Sequence, residues 1–292
     1  MEKEYVIEGK DRPIRFKLFG GDGCDGVLVI IHGMQEHSGR YVGFAHEMVK
    51  NNIAVVTSDL RGHGSNMDKA PGLDDGDIFL NIVEDQKRII AWAKEKFKNV
   101  PVWVLGHSYG SFVTQRLIRD RVNADRFILS GSSYMKGAIV SAGGMVAGLS
   151  RVFKGRESDA RLIESMSIRG YGKKFENGNW LSRDEKVWQD YCADELCGKV
   201  FPVAFYQSMF AQLPKNYSGL KNSVGYCPEI LLIAGNNDPV GSFGKGVLKL
   251  KSVYKNAGYR VECKLYEGAR HEVLNEINKD EVIADILQYL KK

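Results

Sequence analysis

Five short apolar runs set the strongest limit on what this chain can fold into. "GVLVIIHG", "IAVVTSD", "PVWVLG", "RFILSG" and "PEILLIAGNND" each carry a core of apolar residues with almost no polar interruption. A strand with one face in water alternates apolar and polar residues, whereas an unbroken run suits a strand covered on both faces. Between the runs the period changes to that of a helix: Tyr41, Phe44, Ala45, Met48 and Val49 mark one, and Ile78, Ile82, Ile89, Ile90, Ala93 and Phe97 another. Residues 109–121 and 242–257 continue the pattern, and a last helix shows Val282, Ile283, Ile286, Leu287 and Leu290 on one face. This alternation predicts an α/β fold, a mostly parallel sheet with helices on both faces and right-handed crossovers. "EYVIE" and "PIRFKLF", separated by "GKDR", suit an opening hairpin, and "RVECKLYEG" supplies a last strand. Residues 132–215 break the rhythm with helix-like pieces and no buried strand. They are expected to form an inserted helical cap on a core made of residues 1–131 and 216–292.

The composition, 43% hydrophobic over 292 residues, is enough for a large core, and the net charge of +5 is scattered. Without a basic block, nucleic acid is not an expected partner. The opening "MEKEYVIEGKDRP" lacks the apolar centre of a secretory signal, and no 18-residue apolar stretch suits a membrane span. Five cysteines at irregular spacing argue against a disulfide framework and for a reducing, cytoplasmic setting. Cys192 and Cys197 are followed by no second pair at zinc spacing, so they are read as small buried hydrophobes and no metal is expected.

In parallel sheets, ligands gather beyond the carboxyl ends of the strands. The reactive residues to look for therefore directly follow apolar runs. Ser108 does so in "VWVLGHSYG", between Gly106 and Gly110, and a nucleophile on a sharp strand-to-helix turn needs small neighbours. Asp238 ends "ILLIAGNND", where a carboxylate can fix a histidine tautomer and stabilise its imidazolium. His271, in "YEGARHE" past the last strand, can take a serine proton and return it. The loop "IIHGMQEHSGR" offers Met34, and the residue after the serine offers Tyr109, as two backbone N–H donors for an oxyanion. Glu36 and Arg61 are expected to hold that loop by charge pairing. The other five histidines take quieter parts: His32 and His107 in packing or loop hydrogen bonds, His37 and His63 as loop braces, His46 on a helix surface.

"HGMQEHSGRY", "DLRGHGSN", "GHSYGSF", "GNNDPVG" and "EGARHEVLNE" occur in order across residues 32–276. Together they make the chain resemble the α/β-hydrolases of the monoacylglycerol lipase and lysophospholipase-like group, and "NWLSRDEKVWQDYCADELC" resembles that group's lid region. The resemblance implies an α/β-hydrolase fold and a serine hydrolase that cleaves esters with an apolar acyl chain through an acyl-enzyme, without a cofactor. It departs from the group at Gln35, where the loop usually reads HG-x-G-E-H, and at Tyr109, where Met is common. "YMKGAIVSAGGMVAGLSRVF" (134–153) reads either as a lid helix that lines an acyl channel or touches a membrane or micelle, or as a helix packed on its own domain. Trp180, Tyr191, Phe205, Tyr206 and Phe210 are candidates for pocket lining or core. Two rivals stand beside this reading. A peptidase or amidase on the same scaffold would need acidic cap residues for the substrate amine, with Glu157, Glu164 and Glu176 available. A ligand-binding protein of hydrolase fold would have no need of Asp238 and His271.

Overall fold

Each of the five apolar runs is a strand in the computed structural model, which describes residues 2–166, 168–220 and 226–292. The chain opens with β1 (Glu2–Ile7) and β2 (Ile14–Phe19), an antiparallel hairpin. The runs then give β3 (Gly26–Ile31), β4 (Ile53–Thr57), β5 (Val102–His107), β6 (Arg126–Ser130) and β7 (Glu229–Gly235), and β8 (Arg260–Tyr266) closes the sheet. The eight strands lie in the order β1-β2-β4-β3-β5-β6-β7-β8. β2 meets β4 antiparallel, and every pairing from β4 to β8 is parallel.

The unbroken apolar character of the central strands follows from burial on both faces. Val27, Val29 and Ile31 of β3 point to one core, and Leu28 and Ile30 to the other, as the two-residue period requires. The first core takes in α2 (Ile78–Lys96), α3 (Tyr109–Arg119) and α9 (Lys245–Asn256). The second is covered by α1 (Val42–Lys50) and α10 (Lys279–Leu290) through Phe44, Ala45, Met48, Val282 and Ile286. The arrangement is the α/β-hydrolase fold.

Between β6 and β7 the chain makes α4 (Ala138–Lys154), α5 (Arg161–Met166), α6 (Ile168–Gly172), α7 (Glu185–Ala193) and α8 (Val203–Gln212). Among the described residues this segment has no strand, only an isolated bridge between Asp159 and Pro202. α8 is built onto the sheet's own core. Phe205, Tyr206 and Met209 join the cluster under α2, and Asp77, the N-cap of α2, accepts hydrogen bonds from Ser208 Oγ (2.5 Å) and Gln212 Nε2 (2.6 Å). α4 rests on α8 where Gly143 meets the Phe210 ring; a Cβ there would lie 2.6 Å from Phe210.

Two expectations need correction here. Cys192 is exposed rather than buried, because the α7 face that carries it turns outward, while Cys197 is buried. Arg61 does not brace the loop after β3. Its guanidinium is claimed by Asp85 of α2 (2.6 and 2.8 Å), by Asp11 of the hairpin turn (2.6 and 2.9 Å) and by Asp74 (3.4 Å). Burial pushes the Asp85 carboxyl upward even against this pairing. Breaking a buried pair from one side leaves an uncompensated charge and costs about 3–5 kcal/mol. Arg61→Ala should therefore lose that much in a urea titration, and a loss below about 1 kcal/mol would show the cluster to be neutral to stability.

Candidate active site

The chain reverses between β5 and α3 at Ser108, which adopts φ 52° and ψ −119°. A non-glycine residue held in such a conformation costs about 1–3 kcal/mol and persists only when its surroundings enforce it. Here they do. The Ser108 N–H donates to Ser130 O of β6 at 2.9 Å, and Ser108 O accepts from the Ser111 N–H at 2.9 Å. A Cβ on Gly106 would stand 2.2 Å from Thr114 Oγ1, and one on Gly110 would stand 2.1 Å from Ile31 O. Both glycines are thus required by the closeness of α3 to β5 and β3, not by backbone conformation.

Asp238 and His271 meet beyond the ends of β7 and β8. Asp238 is fully buried; its Oδ2 lies 3.0 Å from His271 Nδ1, and its Oδ1 accepts the Val240 N–H at 2.8 Å. The His271 ring is flanked by Trp180 and His107 at centroid distances of 5.0 and 4.8 Å. Burial alone would lower the pKa of His271, but the charge of Asp238 and its hydrogen bond outweigh burial and raise it above the ordinary 6.5. Nε2 is buried and has no hydrogen-bond partner among the described residues, and its ring shares a cavity wall with Ser108.

The loop after β3 is organised by His32, a histidine for which the sequence leaves packing or loop hydrogen bonds open. His32 Nε2 accepts the Leu60 N–H at 2.9 Å, which leaves the ring proton on Nδ1 to donate to Gly33 O at 2.7 Å. Anchoring that carbonyl fixes the plane of the peptide that carries the Met34 N–H. Gly33 N–H donates to Glu36 Oε1 at 2.5 Å, and a Cβ on Gly33 would come within 3.2 Å of Ser108 Cβ. Tyr109 is the first residue of α3, so its N–H has no acceptor within the helix. Its ring packs against Phe205 at 5.0 Å.

Arg40 was not singled out by sequence, although it lies four residues after Glu36 in the same motif. It donates to Glu36 at 2.9 Å and, with two nitrogens, to Glu272 at 2.7 and 2.8 Å. The loop after β3 and the loop carrying His271 are thereby stapled together. Burial would raise the Glu36 carboxyl, but Arg40 overrides it and holds the pKa down to about 2. Of the other histidines, His107 and His63 are kept neutral by burial, with pKa values of about 4 and about 3. His37 donates from Nε2 to Asp194 at 2.8 Å and accepts the Gly39 N–H on Nδ1 at 3.2 Å. Cys197 Sγ lies near this pair, and among the described residues these three are the one group with ligand atoms spaced for a metal. The hydrogen bonds already use both ring nitrogens.

A cavity of about 320 Å³ opens on Ser108, Met34 and His271 and is closed from above by α4, α5 and α8. Its walls are largely apolar: Val140, Val146, Ile163, Leu181, Met209 and Phe210. Trp180, Tyr191 and Tyr206 line it too, whereas Phe205 belongs to the core between Tyr109 and Phe201.

A family model described as Hydrolase_4, serine aminopeptidase S33, matches residues 23–278. The monoacylglycerol lipase of Mycolicibacterium smegmatis is 26% identical over 271 residues, which cover 91% of this chain and 88% of that protein. The monoglyceride lipase homolog of Monkeypox virus is 23% identical and covers 91% and 87%. Among solved structures, a thermostable carboxyl esterase from Bacillus coagulans in complex with glycerol superposes with a TM-score of 0.85 at 22% identity over 99% of this chain and 98% of its own.

The Arg40 staple has a pH signature. In the wild type Glu36 is depressed, so its contribution to stability is present above the unfolded carboxylate value of 4.5 and is lost only as pH falls toward about 2. Arg40→Met strands two buried carboxylates, and burial, no longer opposed by the guanidinium, then pushes the Glu36 pKa up. Its melting temperature should be depressed most at pH 8 and recover toward pH 5. A deficit independent of pH would mean that lost packing, not charge, is the cause.

Proposed function

The chain belongs to the Hydrolase_4 (serine aminopeptidase S33) family, and we propose that it hydrolyses carboxylic esters with an apolar acyl chain, of the monoacylglycerol or lysophospholipid type. One observation carries the reading: a largely apolar cavity ends at Ser108 beside a buried His271 Nε2 that has no partner among the described residues, on a ring held by Asp238. The names of the relatives, lipases and an esterase, agree with it.

In the proposed reaction His271 Nε2 takes the Ser108 proton as Oγ attacks the ester carbonyl. Asp238 keeps the proton-bearing Nδ1 in place and stabilises the imidazolium. The N–H groups of Met34 and Tyr109 receive the oxyanion, each such donor being worth roughly 2.7–4 kcal/mol elsewhere. Collapse expels the alcohol with the proton from His271, and water, activated by the same ring, hydrolyses the acyl-enzyme. No cofactor enters any step.

Residues 132–215 act in this reading as a lid over the acyl site. α4 turns Val140 and Ala147 inward but leaves Ile139 90%, Val152 78% and Phe153 82% exposed. Such a face suits transient contact with a membrane or micelle that holds the substrate. No helix among the described residues is long and apolar enough to cross a membrane. Five cysteines at irregular spacing, without a disulfide framework in the sequence, support a cytoplasmic setting.

An aminopeptidase would need an unpaired carboxylate facing the cavity for the substrate amine. Glu157 and Glu176 are exposed, Glu164 accepts three hydrogen bonds, and the cavity carboxylates Glu36 and Glu272 are taken by Arg40. These pairings favour the ester reading.

With p-nitrophenyl esters from C2 to C16, hydrolysis should favour medium or long chains and fall by at least about 10⁴-fold in Ser108→Ala. Fluorophosphonate labelling should disappear with it; retained activity in Ser108→Ala would overturn the assignment. The base must be neutral, and His271 is raised, so kcat/KM should climb with pH through a midpoint above the ordinary 6.5. Asp238→Asn should lower kcat by about 10⁴-fold and move that midpoint to lower pH, since the carboxylate that raises it is gone. An unmoved midpoint would assign the limb to another group.

A further inference from the structure

Gln35 is the least expected residue in the loop after β3. It adopts φ 59°, a conformation that glycine takes at no steric cost and that other residues avoid. Its side chain is almost fully buried, and its Nε2 donates to Glu164 Oε1 of α5 at 2.8 Å. That oxygen also accepts the Phe201 N–H at 3.0 Å and the Tyr206 hydroxyl at 3.1 Å, so one carboxylate gathers the loop, α5 and both ends of the approach to α8. The Gln35 carbonyl is held independently, by the Gly198 N–H at 2.9 Å and the Tyr191 hydroxyl at 3.1 Å. Gln35 thus makes side-chain and main-chain bonds to three separate parts of the inserted segment, directly after Met34.

We propose that Gln35 is a positioning residue that sets the Met34 amide according to how the inserted helices are packed. On the sheet side the Met34 peptide is held by His32 through Gly33 O. On its other side the chain is held by residues 164, 191 and 198, all of which belong to the insertion. The oxyanion site is therefore complete only when that segment is docked. A substrate that seats α5 and the turn after α7 against the loop aligns the amide; displacement of the segment releases it. The side chain at position 35 transmits the state of the lid to the reacting carbonyl without touching the substrate's acyl chain. This inference rests on the serine-hydrolase reading above.

Gln35→Gly and Gln35→Asn both tolerate the left-handed backbone, and neither can reach Glu164. Each should lower kcat for p-nitrophenyl butyrate roughly 10- to 100-fold, the scale of a misplaced catalytic group, with KM within about threefold of wild type. A trifluoromethyl ketone supplies the second readout. Ser108 Oγ bonds to its carbonyl carbon, the serine proton passes to His271 and the C=O pair moves onto oxygen, which leaves an oxyanion at the Met34 and Tyr109 amides. Its inhibition constant should weaken by the same factor as kcat while the melting temperature stays near that of wild type. In a Glu164→Gln background the Gln35→Gly change should cost less than it does alone. Unchanged kcat in both Gln35 variants, or a loss carried entirely by KM, overturns the inference while leaving the parent reading intact. Wild-type protein with no Ser108-dependent hydrolysis overturns both.

Discussion

The contact on which the site depends is the approach of α3 to β3 and β5, closer than any side chain permits. Gly110 lets the helix backbone settle onto the carbonyls of Ile31 and His32, and Gly106 lets β5 pass beneath Thr114. With both sides fixed, the intervening residue has no choice but a left-handed turn, and Ser108 is pushed out beyond the sheet with α3 beginning directly behind it. The strain is local, and the sheet pairing that supports it is extensive: β5 is matched on both sides by parallel neighbours, β3 and β6. A strained residue supported in this way is rigid, which is what proton transfer from its hydroxyl would require.

Around that turn, charge does what apolar packing cannot. The loops that carry Met34 and His271 come from opposite ends of the chain, yet Arg40 joins them through Glu36 and Glu272. Taking three charges out of water is costly, and the return is directional: a guanidinium accepts only a narrow geometry of carboxylates. His32 supplies the neutral counterpart, with both ring nitrogens used and burial keeping it uncharged. The two devices fix different coordinates, the distance between loops and the rotation of one peptide plane.

How much of this was legible depended on whether the cause was local. The strands could be read because burial on both faces writes an unbroken apolar run into the sequence itself. The placement of Ser108, Asp238 and His271 beyond strand ends could be read because such positions directly follow apolar runs. Loop hydrogen bonding by His32 could be expected, but not its partners, since Leu60, which fixes the tautomer, lies 28 residues away. Arg61 was misassigned for the same reason: its partners, Asp11 and Asp85, lie on elements that only the fold brings together. The exposure of Cys192 likewise follows from which face α7 turns outward, and a nine-residue helix with few apolar positions gives little warning of that.

The insertion is where local and global demands diverge. α8 obeys the sheet, sharing its core and capping α2 through Asp77, so it has little freedom to move without exposing Phe205 and Met209. α4 joins that core with only two buried side chains, Val140 and Ala147. No other of its seventeen residues is buried, and it lies along α8, with Gly143 seated on the Phe210 ring and Arg151 donating to Gln207 at 2.8 Å. Each exposed apolar side chain on it forgoes about 25 cal/mol per Å² that burial would return. Its outer face leaves Ile139, Val152 and Phe153 in water, and the proposed contact with a membrane or micelle rests on that exposure. Because its inner face walls the cavity, the proposed contact would be felt there. The cavity is thus bounded on unlike terms, by α8, which is built into the sheet's core, and by α4, which reaches that core through two buried side chains and rests on α8.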